Sequence, residues 1–429
     1  MHTMSRLAAI SFIYICTAID WLILGATLDH RTNAADGTLR GKVTTIWGSP
    51  QEQHPPSAFW TIEEPQTLMT IENGLNVQRT RMAKVDRPLP LEGSKVSVDL
   101  DLSHRQKGLR WYSTYKVGFD GVYRFKNDTG KTQQITFVLP FPSAQAMYSD
   151  LVMTVDGKKL EIKNVEGTAR ASAAVAEGAT VSLNAGYKSQ GLDRWRYNFG
   201  AGEAVAQARD FSLEMKTNFK DIDFAENTLS PTAKKETSSG WELAWNYGTL
   251  VSGYQIAMVM PEKLQPGPLV GAISYFAPVS LFFFFFILMM LTTLREIDLH
   301  PMNYFFLAAA FFAFHLSMAY LCDHVSIHLA FAISAVVSVF LVVSYLRLVV
   351  GLRFAALEAG GAQMLYLVLF SYAFFFKGLT GLTVTIGSIL TLFVVMQATA
   401  RINWSETFSL RRDHRSDRST PPILPILNQ

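Results

Sequence analysis

Two ionisable residues lie inside long apolar segments, where a charge is costly to bury without a partner. Asp20 interrupts the apolar segment 7–28, and His315 lies within the apolar segment 302–322. Each residue lies 13 positions after the start of its segment. At a rise of 1.5 Å per residue, both are expected about 20 Å from the same end of a helix. This spacing predicts that Asp20 and His315 pair or share a proton. The alternative is that each faces its own polar pocket or reaches towards the headgroups.

Histidines also flank the apolar segment 302–322. His300 and Pro301 precede it, and proline is favoured at the first position of a helix. His300 is therefore a candidate for a headgroup contact, or for a gating or partner contact. Asp323 and His324 follow the segment, with a further histidine one helical turn later, and such a set could bind a metal or sense pH. A fourth ligand is not evident, so neither a metal site nor a cofactor is predicted.

Aromatic residues in the polar middle of the chain could stack on sugar rings. They are Trp111, Tyr112, Trp195, Trp241 and Trp245. Such residues also pack half-buried in strands, where their large apolar area stabilises a core. Both interpretations, a sugar-binding surface and core packing, remain open.

Motifs that identify common enzyme classes are missing from the sequence. It has no Walker loop, no His-Glu-x-x-His, no Gly-x-Ser-x-Gly and no nucleotide-binding fingerprint. We therefore predict no catalytic residues and no enzymatic activity. The net charge is only +3, which gives no indication of a nucleic acid partner.

The residues named above must be positioned by apolar segments at the two ends of the chain. A bilayer core about 30 Å thick requires about 20 apolar residues per helix, and the segment 7–28 and five further runs approach this length. Six transmembrane helices are predicted. The first could instead be a cleaved signal peptide, but it is longer than the usual apolar core of about 7–15 residues. The predicted domains are a first transmembrane helix at 1–28, an extracytoplasmic β-rich domain at 29–268, a five-helix block at 269–400 and a partly disordered cytoplasmic tail at 401–429.

Positive charges predict the orientation of these helices. Arg353 falls in the predicted loop 351–353 with Arg347 nearby, and several arginines follow residue 400. Cytoplasmic loops carry an excess of such charges. Both termini are therefore expected in the cytoplasm, with the polar domain on the other side of the membrane.

The polar domain shows the alternation typical of β-strands. Apolar residues occupy every second position in the segments 96–102 and 115–125. Asp156-Gly157 separates two short β-type runs, which predicts a hairpin. Many short strands of this kind indicate a sandwich-like domain. One Ala-rich stretch, 170–179, predicts a short helix instead.

Several motifs resemble the CreD family of bacterial inner-membrane proteins. Leu299-His300-Pro301 before an apolar segment and Cys322-Asp323-His324 after it are similar to the Leu-His-Pro and Ser-Glu-His motifs of that family. The segment ending at Trp404 resembles the family's closing Asp-Trp motif, with Asn403 in place of the aspartate. The resemblance covers about residues 210–408. It implies a multi-pass inner-membrane protein associated with envelope integrity or the response to envelope stress.

Three functions are compatible with these patterns. The first is a non-enzymatic CreD-like protein whose periplasmic domain engages an envelope protein or cell-wall component. The second is a proton-coupled transporter or intramembrane relay that uses Asp20 and His315. The third is a periplasmic sugar or cell-wall binding module on a membrane anchor. The lipid bilayer is the one partner that all three share, and the sequence sets no oligomeric state.

Overall fold

The computed structural model describes residues 3–72, 75–108, 110–200, 206–376 and 378–400. The chain divides into two compact parts. Met1–Ala35 and Leu264–Gln429 form the helical unit, and Asp36–Lys263 forms the β unit. The predicted combination of a mainly β domain with six apolar helices is confirmed.

Six helices among the described residues are long and apolar enough to cross a membrane. They are α1 (Thr3–Trp47), α2 (Pro266–Leu294), α3 (Pro301–Leu321), α4 (Ile327–Val350), α5 (Phe354–Phe375) and α6 (Thr380–Thr399). Helix α1 is longer than the apolar segment 7–28, because polar residues continue the helix beyond it. Its C-terminal part, residues 36–47, belongs to the β unit.

Helix α5 is irregular. An ordinary α-helical turn, Gly360–Gln363, lies between two π-helical stretches, Phe354–Ala359 and Met364–Leu369. The helix ends in the short turns Phe370–Tyr372 and Ala373–Phe375. Single π-helical turns are rare and are often found at functional sites. The backbone of α5 therefore indicates that this helix is a candidate for a functional role.

The β unit contains sixteen strands within its described residues. They are β1 (Gln51–Gln53), β2 (Ser57–Glu72), β3 (Leu75–Leu89), β4 (Leu91–Lys107), β5 (Arg110–Lys126), β6 (Gln133–Pro140), β7 (Tyr148–Val155), β8 (Lys158–Lys159), β9 (Lys163–Val165), β10 (Thr168–Val175), β11 (Thr180–Leu192), β12 (Arg194–Tyr197), β13 (Ala206–Thr217), β14 (Ala233–Glu236), β15 (Trp241–Ser252) and β16 (Ile256–Val259).

The strands form three sheets. The largest has eight strands in the order β14-β15-β13-β4-β5-β11-β7-β8, and all its pairs except β13 with β4 are antiparallel. A five-stranded sheet has the order β3-β2-β6-β10-β9, and a three-stranded sheet has the order β1-β12-β16. The inner faces share one apolar core, to which Trp195, Phe137 and Phe119 each contribute from a different sheet.

Local sequence explains most of these strands. Val96, Val98 and Leu100 are buried while the residues between them are exposed, as their alternation predicts. The hairpin between β7 and β8 turns at Asp156 and Gly157, both with positive φ. A two-residue type I′ turn requires that geometry at both positions.

The helix predicted at 170–179 is wrong. Most of this stretch belongs to β10, which pairs with β6 on one side and β9 on the other. Ala169 and Ala171 are buried in the apolar core of the sheets. Pairing and burial therefore override the helical propensity of alanine.

Candidate functional site

His315 lies in the interior of the helical unit. Its side chain is about 1% exposed, and Nδ1 lies 3.1 Å from the Phe311 carbonyl oxygen. Its ring also contacts Trp21, with the ring centroids 5.5 Å apart and the planes nearly perpendicular. The other ring nitrogen, Nε2, is buried and has no hydrogen-bond partner among the described residues.

Asp20 does not meet His315. The Asp20 side chain is exposed, and no contact among the described residues joins it to His315. The next residue of α1, Trp21, is the one that contacts His315. Successive residues of a helix point in directions about 100° apart. The interior position therefore belongs to Trp21, and the predicted pairing of Asp20 with His315 is not found.

A polar link joins three helices in the same interior. The amide Nε2 of Gln363 on α5 donates to Ser338 Oγ on α4 at 2.8 Å. Ser338 Oγ in turn donates to the Ala310 carbonyl oxygen on α3 at 2.7 Å. Gln363 and Ser338 are both fully buried. Polar side chains hold membrane helices together through such bonds.

This link was missed in the sequence analysis, which considered only ionisable residues in apolar runs. The neutral amide of Gln363 within α5 was a usable signal, because an amide is also costly to place in lipid alone. The position of Gln363 between the two π-helical stretches of α5 is seen only in the backbone of the structure and has no signal in the sequence.

Other polar atoms are also buried in the helical unit without a partner among the described residues. They include the hydroxyls of Ser274, Ser280 and Ser334, the Gln363 Oε1 and the His315 Nε2. An unsatisfied polar group away from water costs several kcal/mol in a membrane interior. The interior of the helical unit therefore combines an apolar packing core with polar groups that can still accept or donate hydrogen bonds.

His300 caps the N-terminus of α3. Its Nδ1 accepts a hydrogen bond from the Met302 backbone N–H at 3.2 Å, and Pro301 occupies the first helical position. The side chain is otherwise exposed. The Leu-His-Pro segment thus has a local role: it starts the helix that carries His315.

Asp323 makes an ion pair with the first helix. Its Oδ2 lies 2.5 Å from Arg31 Nη2, and the Arg31 guanidinium also lies 6.0 Å from the ring centroid of Tyr320. His324 beside it is exposed. The described residues contain no group of three His, Cys, Asp or Glu side chains that could hold a metal ion. Asp323 therefore attaches α1 to the end of α3.

A second ion pair attaches α1 near its other end. Arg6 Nη1 lies 2.7 Å from Asp298 Oδ1 in the turn before α3. Both pairs join residues 292 positions apart, as expected when α1 and α3 run parallel in one register. Between them, Tyr14 OH donates to the Pro278 carbonyl oxygen of α2 at 3.2 Å. Helix α1 is thus bound along its length inside the helical unit.

In the β unit, residues 36–47 of α1 pack on the β4–β5 hairpin. Val43, Tyr112 and Leu192 form a buried cluster, and Tyr112 OH donates to Asp36 Oδ1 at 3.1 Å. Burial, and secondarily this hydrogen bond, raises the pKa of Tyr112 to about 12. Arg40 forms an ion pair with Asp193.

The aromatic residues predicted to bind sugar are buried or half-buried. Trp195 and Trp245 are fully buried, and the Trp245 Nε1 donates to the Leu229 carbonyl oxygen at 2.9 Å. Trp241 is half-buried, and its Nε1 donates to the Lys220 carbonyl oxygen at 2.9 Å. The sugar-stacking interpretation is wrong for the buried pair, because a ring inside the core cannot contact a ligand.

Trp404 lies outside the described residues, as does the tail 401–429.

Among solved structures, similar chains share little with this one. A protein described provisionally as a nutrient binding protein from Legionella pneumophila is 12% identical with a TM-score of 0.30, over 55% of this chain and 76% of that chain. An M1 zinc metallopeptidase from Deinococcus radiodurans is 10% identical with a TM-score of 0.25, over 40% of this chain and 42% of that chain. These scores carry no argument about fold or activity. Comparison with curated protein sequences gives no match.

A family comparison does match the helical unit. Residues 272–405 match the family described as inner membrane protein CreD. The matched range begins within α2 and includes the His300 cap, the interior His315, Asp323 and the Gln363–Ser338 link. This match supports the assignment of residues 272–405 to the CreD family of inner membrane proteins.

Proposed function

We propose that this protein is a non-enzymatic inner-membrane protein that supports the integrity of the cell envelope or its response to stress. In this proposal the β unit lies in the periplasm and engages an envelope protein or a cell-wall component. The helical unit anchors it, with both chain termini in the cytoplasm.

The observation that supports this proposal best is the structure of α1. This helix is bound to the CreD-type helices through Arg6 and Arg31, and its continuation packs in the β unit through Val43. Each unit thus has internal contacts of its own, as an envelope-binding domain and its membrane anchor both require. The β unit has its own apolar core, so it can present a fixed surface.

The test is a deletion of the gene in its host, followed by growth under an antibiotic that inhibits cell-wall synthesis. We expect the deletion strain to be more sensitive than the parent, and the full-length protein to restore growth. Equal growth of deletion and parent strains under several envelope stresses would contradict the proposal.

A second function, an intramembrane proton or solute relay, is supported by the buried polar atoms of the helical unit. His315 Nε2 and Gln363 Oε1 are available for hydrogen bonds at depth. Asp20 has no place in this relay, because it is exposed and does not contact His315.

The relay is tested in liposomes loaded with a pH-sensitive dye. A relay predicts faster decay of a pH gradient with the protein than without it, and loss of that effect in His315→Phe. The control is His324→Phe, since His324 is exposed outside the membrane segments. Decay at the protein-free rate would exclude a proton relay.

A further inference from the structure

Three buried polar groups lie at one height inside the helical unit, one on each of α1, α2 and α3. They are the indole Nε1 of Trp21, the hydroxyl of Ser280 and the Nε2 of His315, and each side chain is 1% exposed or less. None of these three atoms has a hydrogen-bond partner among the described residues. An unsatisfied polar group costs several kcal/mol in a membrane interior. Three of them together are therefore costly unless another molecule bonds to them.

Helices α2 and α3 place Ser280 opposite His315. These helices are consecutive and joined by a short turn, so they run antiparallel, and the rings of Phe284 and Phe311 meet between them with centroids 4.8 Å apart. Ser280 precedes Phe284 by four residues, and His315 follows Phe311 by four. Residues four apart lie on the same face of a helix, one above the other. In an antiparallel pair both steps lead in the same direction, so Ser280 and His315 face each other one turn from the two phenylalanines.

Helix α1 brings Trp21 to the same height. The Trp21 ring contacts the ring of His315, with centroids 5.5 Å apart. One turn further along α1, a Cβ added at Gly25 would lie 2.8 Å from the Tyr275 ring of α2. Because α1 and α2 run antiparallel, one turn back from Gly25 to Trp21 corresponds to one turn forward from Tyr275. That step ends at the residue beside Ser280, so all three polar groups lie in one layer.

The three groups have complementary roles in hydrogen bonding. The indole N–H of Trp21 can only donate, and the hydroxyl of Ser280 can donate or accept. His315 Nδ1 lies 3.1 Å from the Phe311 carbonyl oxygen, which can only accept, so Nδ1 carries the proton. The ring is neutral, because an unpaired charge is much costlier to bury than a dipole. The Nε2 of His315 is therefore an acceptor.

A serine leaves space between the helices at this height. Packed helices have axes about 8–10 Å apart, and one turn away the rings of Phe284 and Phe311 fill that gap. The hydroxymethyl group of Ser280 is far shorter than a phenylalanine ring and cannot fill it alone. Buried waters occupy polar gaps of this kind and make about three hydrogen bonds to groups that otherwise have no partner. The layer offers three such groups.

We propose that one water molecule binds between Trp21, Ser280 and His315. It accepts a hydrogen bond from the Trp21 N–H and donates one to His315 Nε2 and one to Ser280 Oγ. A cation would meet the indole N–H, and an anion would meet the lone pair of Nε2, so neither fits as well as water does. The bridge joins α1 to α2 and α3. This inference goes beyond the proposed function, because it requires neither an envelope ligand nor proton transfer.

The test detects the water at the Trp21 indole. Full-length protein with ¹⁵N-labelled tryptophan is placed in lipid nanodiscs, and rotating-frame NMR separates contact with a bound water from chemical exchange. Trp21→Phe assigns the signal. Trp245 is the control, because it is also fully buried but its Nε1 donates to the Leu229 carbonyl oxygen at 2.9 Å. We expect a water contact at Trp21 and none at Trp245.

Two substitutions at Ser280 separate the water from the hydroxyl. Ser280→Ala removes the hydroxyl and keeps the space, so the water contact at Trp21 should remain. Ser280→Val fills the space and should abolish the contact. Ser274→Val is the matched control, since the Ser274 hydroxyl is also buried in α2 and has no partner in the part of the chain that the structure describes. It should leave the contact unchanged.

Three results would overturn the proposal. The first is no water contact at Trp21 in the wild type. The second is loss of the contact in Ser280→Ala, and the third is equal behaviour of folded Ser280→Val and Ser274→Val. If Ser280→Val does not fold, the comparison of Trp21 with Trp245 in the wild type decides the matter.

Discussion

At the scale of single residues, Arg31 attaches α1 to the end of α3. Its guanidinium contacts Asp323, in the segment that follows α3, and lies close to Tyr320. The side chains of Arg31 and Asp323 are 42% and 25% exposed. The pair is thus partly screened, and its contribution is expected to be modest.

We predict that reversing either charge destabilises the protein and that reversing both restores it. Arg31→Glu places two carboxylates together, and Asp323→Arg places two guanidinium groups together. The coupling between the two positions should be about 0.5–1 kcal/mol, as for other partly exposed pairs. A double-mutant cycle on unfolding in detergent measures it. The exposed pair Lys188 and Asp150 is the control. Strictly additive effects at 31 and 323 would contradict the prediction.

Tyr112 gives a prediction that depends on pH. Tyr112→Phe removes the hydrogen bond to Asp36 and should cost about 1 kcal/mol at neutral pH. The folded pKa of Tyr112 is about 12, above its usual value of 10.0. The unfolded chain therefore ionises first, and the wild type loses stability as the pH rises from 10 to 12. The phenylalanine variant has no such loss, so the difference in stability between wild type and Tyr112→Phe should narrow as the pH rises.

Unfolding curves for wild type and Tyr112→Phe at about pH 8 and about pH 11 measure whether the difference in stability narrows as predicted. Tyr254→Phe is the control, because the Tyr254 side chain is largely exposed. A difference between wild type and Tyr112→Phe that grows towards high pH would refute the assignment.

At the scale of residues, the sequence predicted how far along its helix Asp20 lies better than the direction in which its side chain points. The rise per residue predicted a contact between position 20 and His315, and the contact is made by the neighbouring residue Trp21. The rotation about the axis of α1 could not be read, because its hydrophobic residues surround the helix. The partner of Arg31 was equally hidden, since Asp323 lies 292 residues away and no local pattern connects them.

At the scale of elements, α3 begins at a defined cap. We predict that His300→Ala lowers stability by about 0.5–2 kcal/mol, the usual effect of removing an N-cap acceptor. His300→Asn should retain most of the stability, because its side-chain oxygen can accept the same bond. Thermal unfolding of these variants beside His324→Ala would measure the effect. No difference between His300→Ala and His324→Ala would show that the cap contributes nothing.

Helix α5 depends on the Gln363–Ser338 link to its neighbours. Ser338→Ala leaves the Gln363 amide without its described acceptor, and Gln363→Leu removes the amide altogether. We predict a coupling between the two positions of about 0.6 kcal/mol, up to about 1.7 kcal/mol, as for hydrogen bonds in other membrane bundles. The double variant should be more stable than the sum of the single variants implies.

Unfolding of the four proteins in detergent gives this coupling. Ser344→Ala serves as the control, because Ser344 donates to Leu341 in its own helix. Independent effects at 338 and 363 would mean that the link does not hold α4 and α5 together.

The elements themselves differ in how well local sequence predicts them. The strands with alternating apolar residues were recognised because one face must enter the core and the other must remain in water. Strand β10 was not recognised, because an alanine-rich segment favours a helix in isolation. It forms a strand only because β6 and β9 pair with it. The π-helical turns of α5 leave no pattern in its composition.

At the scale of the whole molecule, the central expectation is the orientation of the chain. We predict that alkaline phosphatase fused at residue 150 is active and that the same fusion at residue 297 is inactive. A fluorescent protein fused at each position should give the reverse. The reason is the excess of arginine in the segments expected to be cytoplasmic. Active phosphatase at residue 297 and inactive phosphatase at residue 150 would show that the orientation is the opposite of the predicted one.

The two ion pairs of α1 also have a consequence for biogenesis. Arg6 and Arg31 leave the ribosome 292 residues before Asp298 and Asp323. At about 5–20 residues per second, this delay is roughly 15–60 s. During that time the first helix must remain in the bilayer without its later partners, while Trp21 has no histidine to pack against. The contacts that hold α1 in the helical unit therefore form only after α3 has been synthesised.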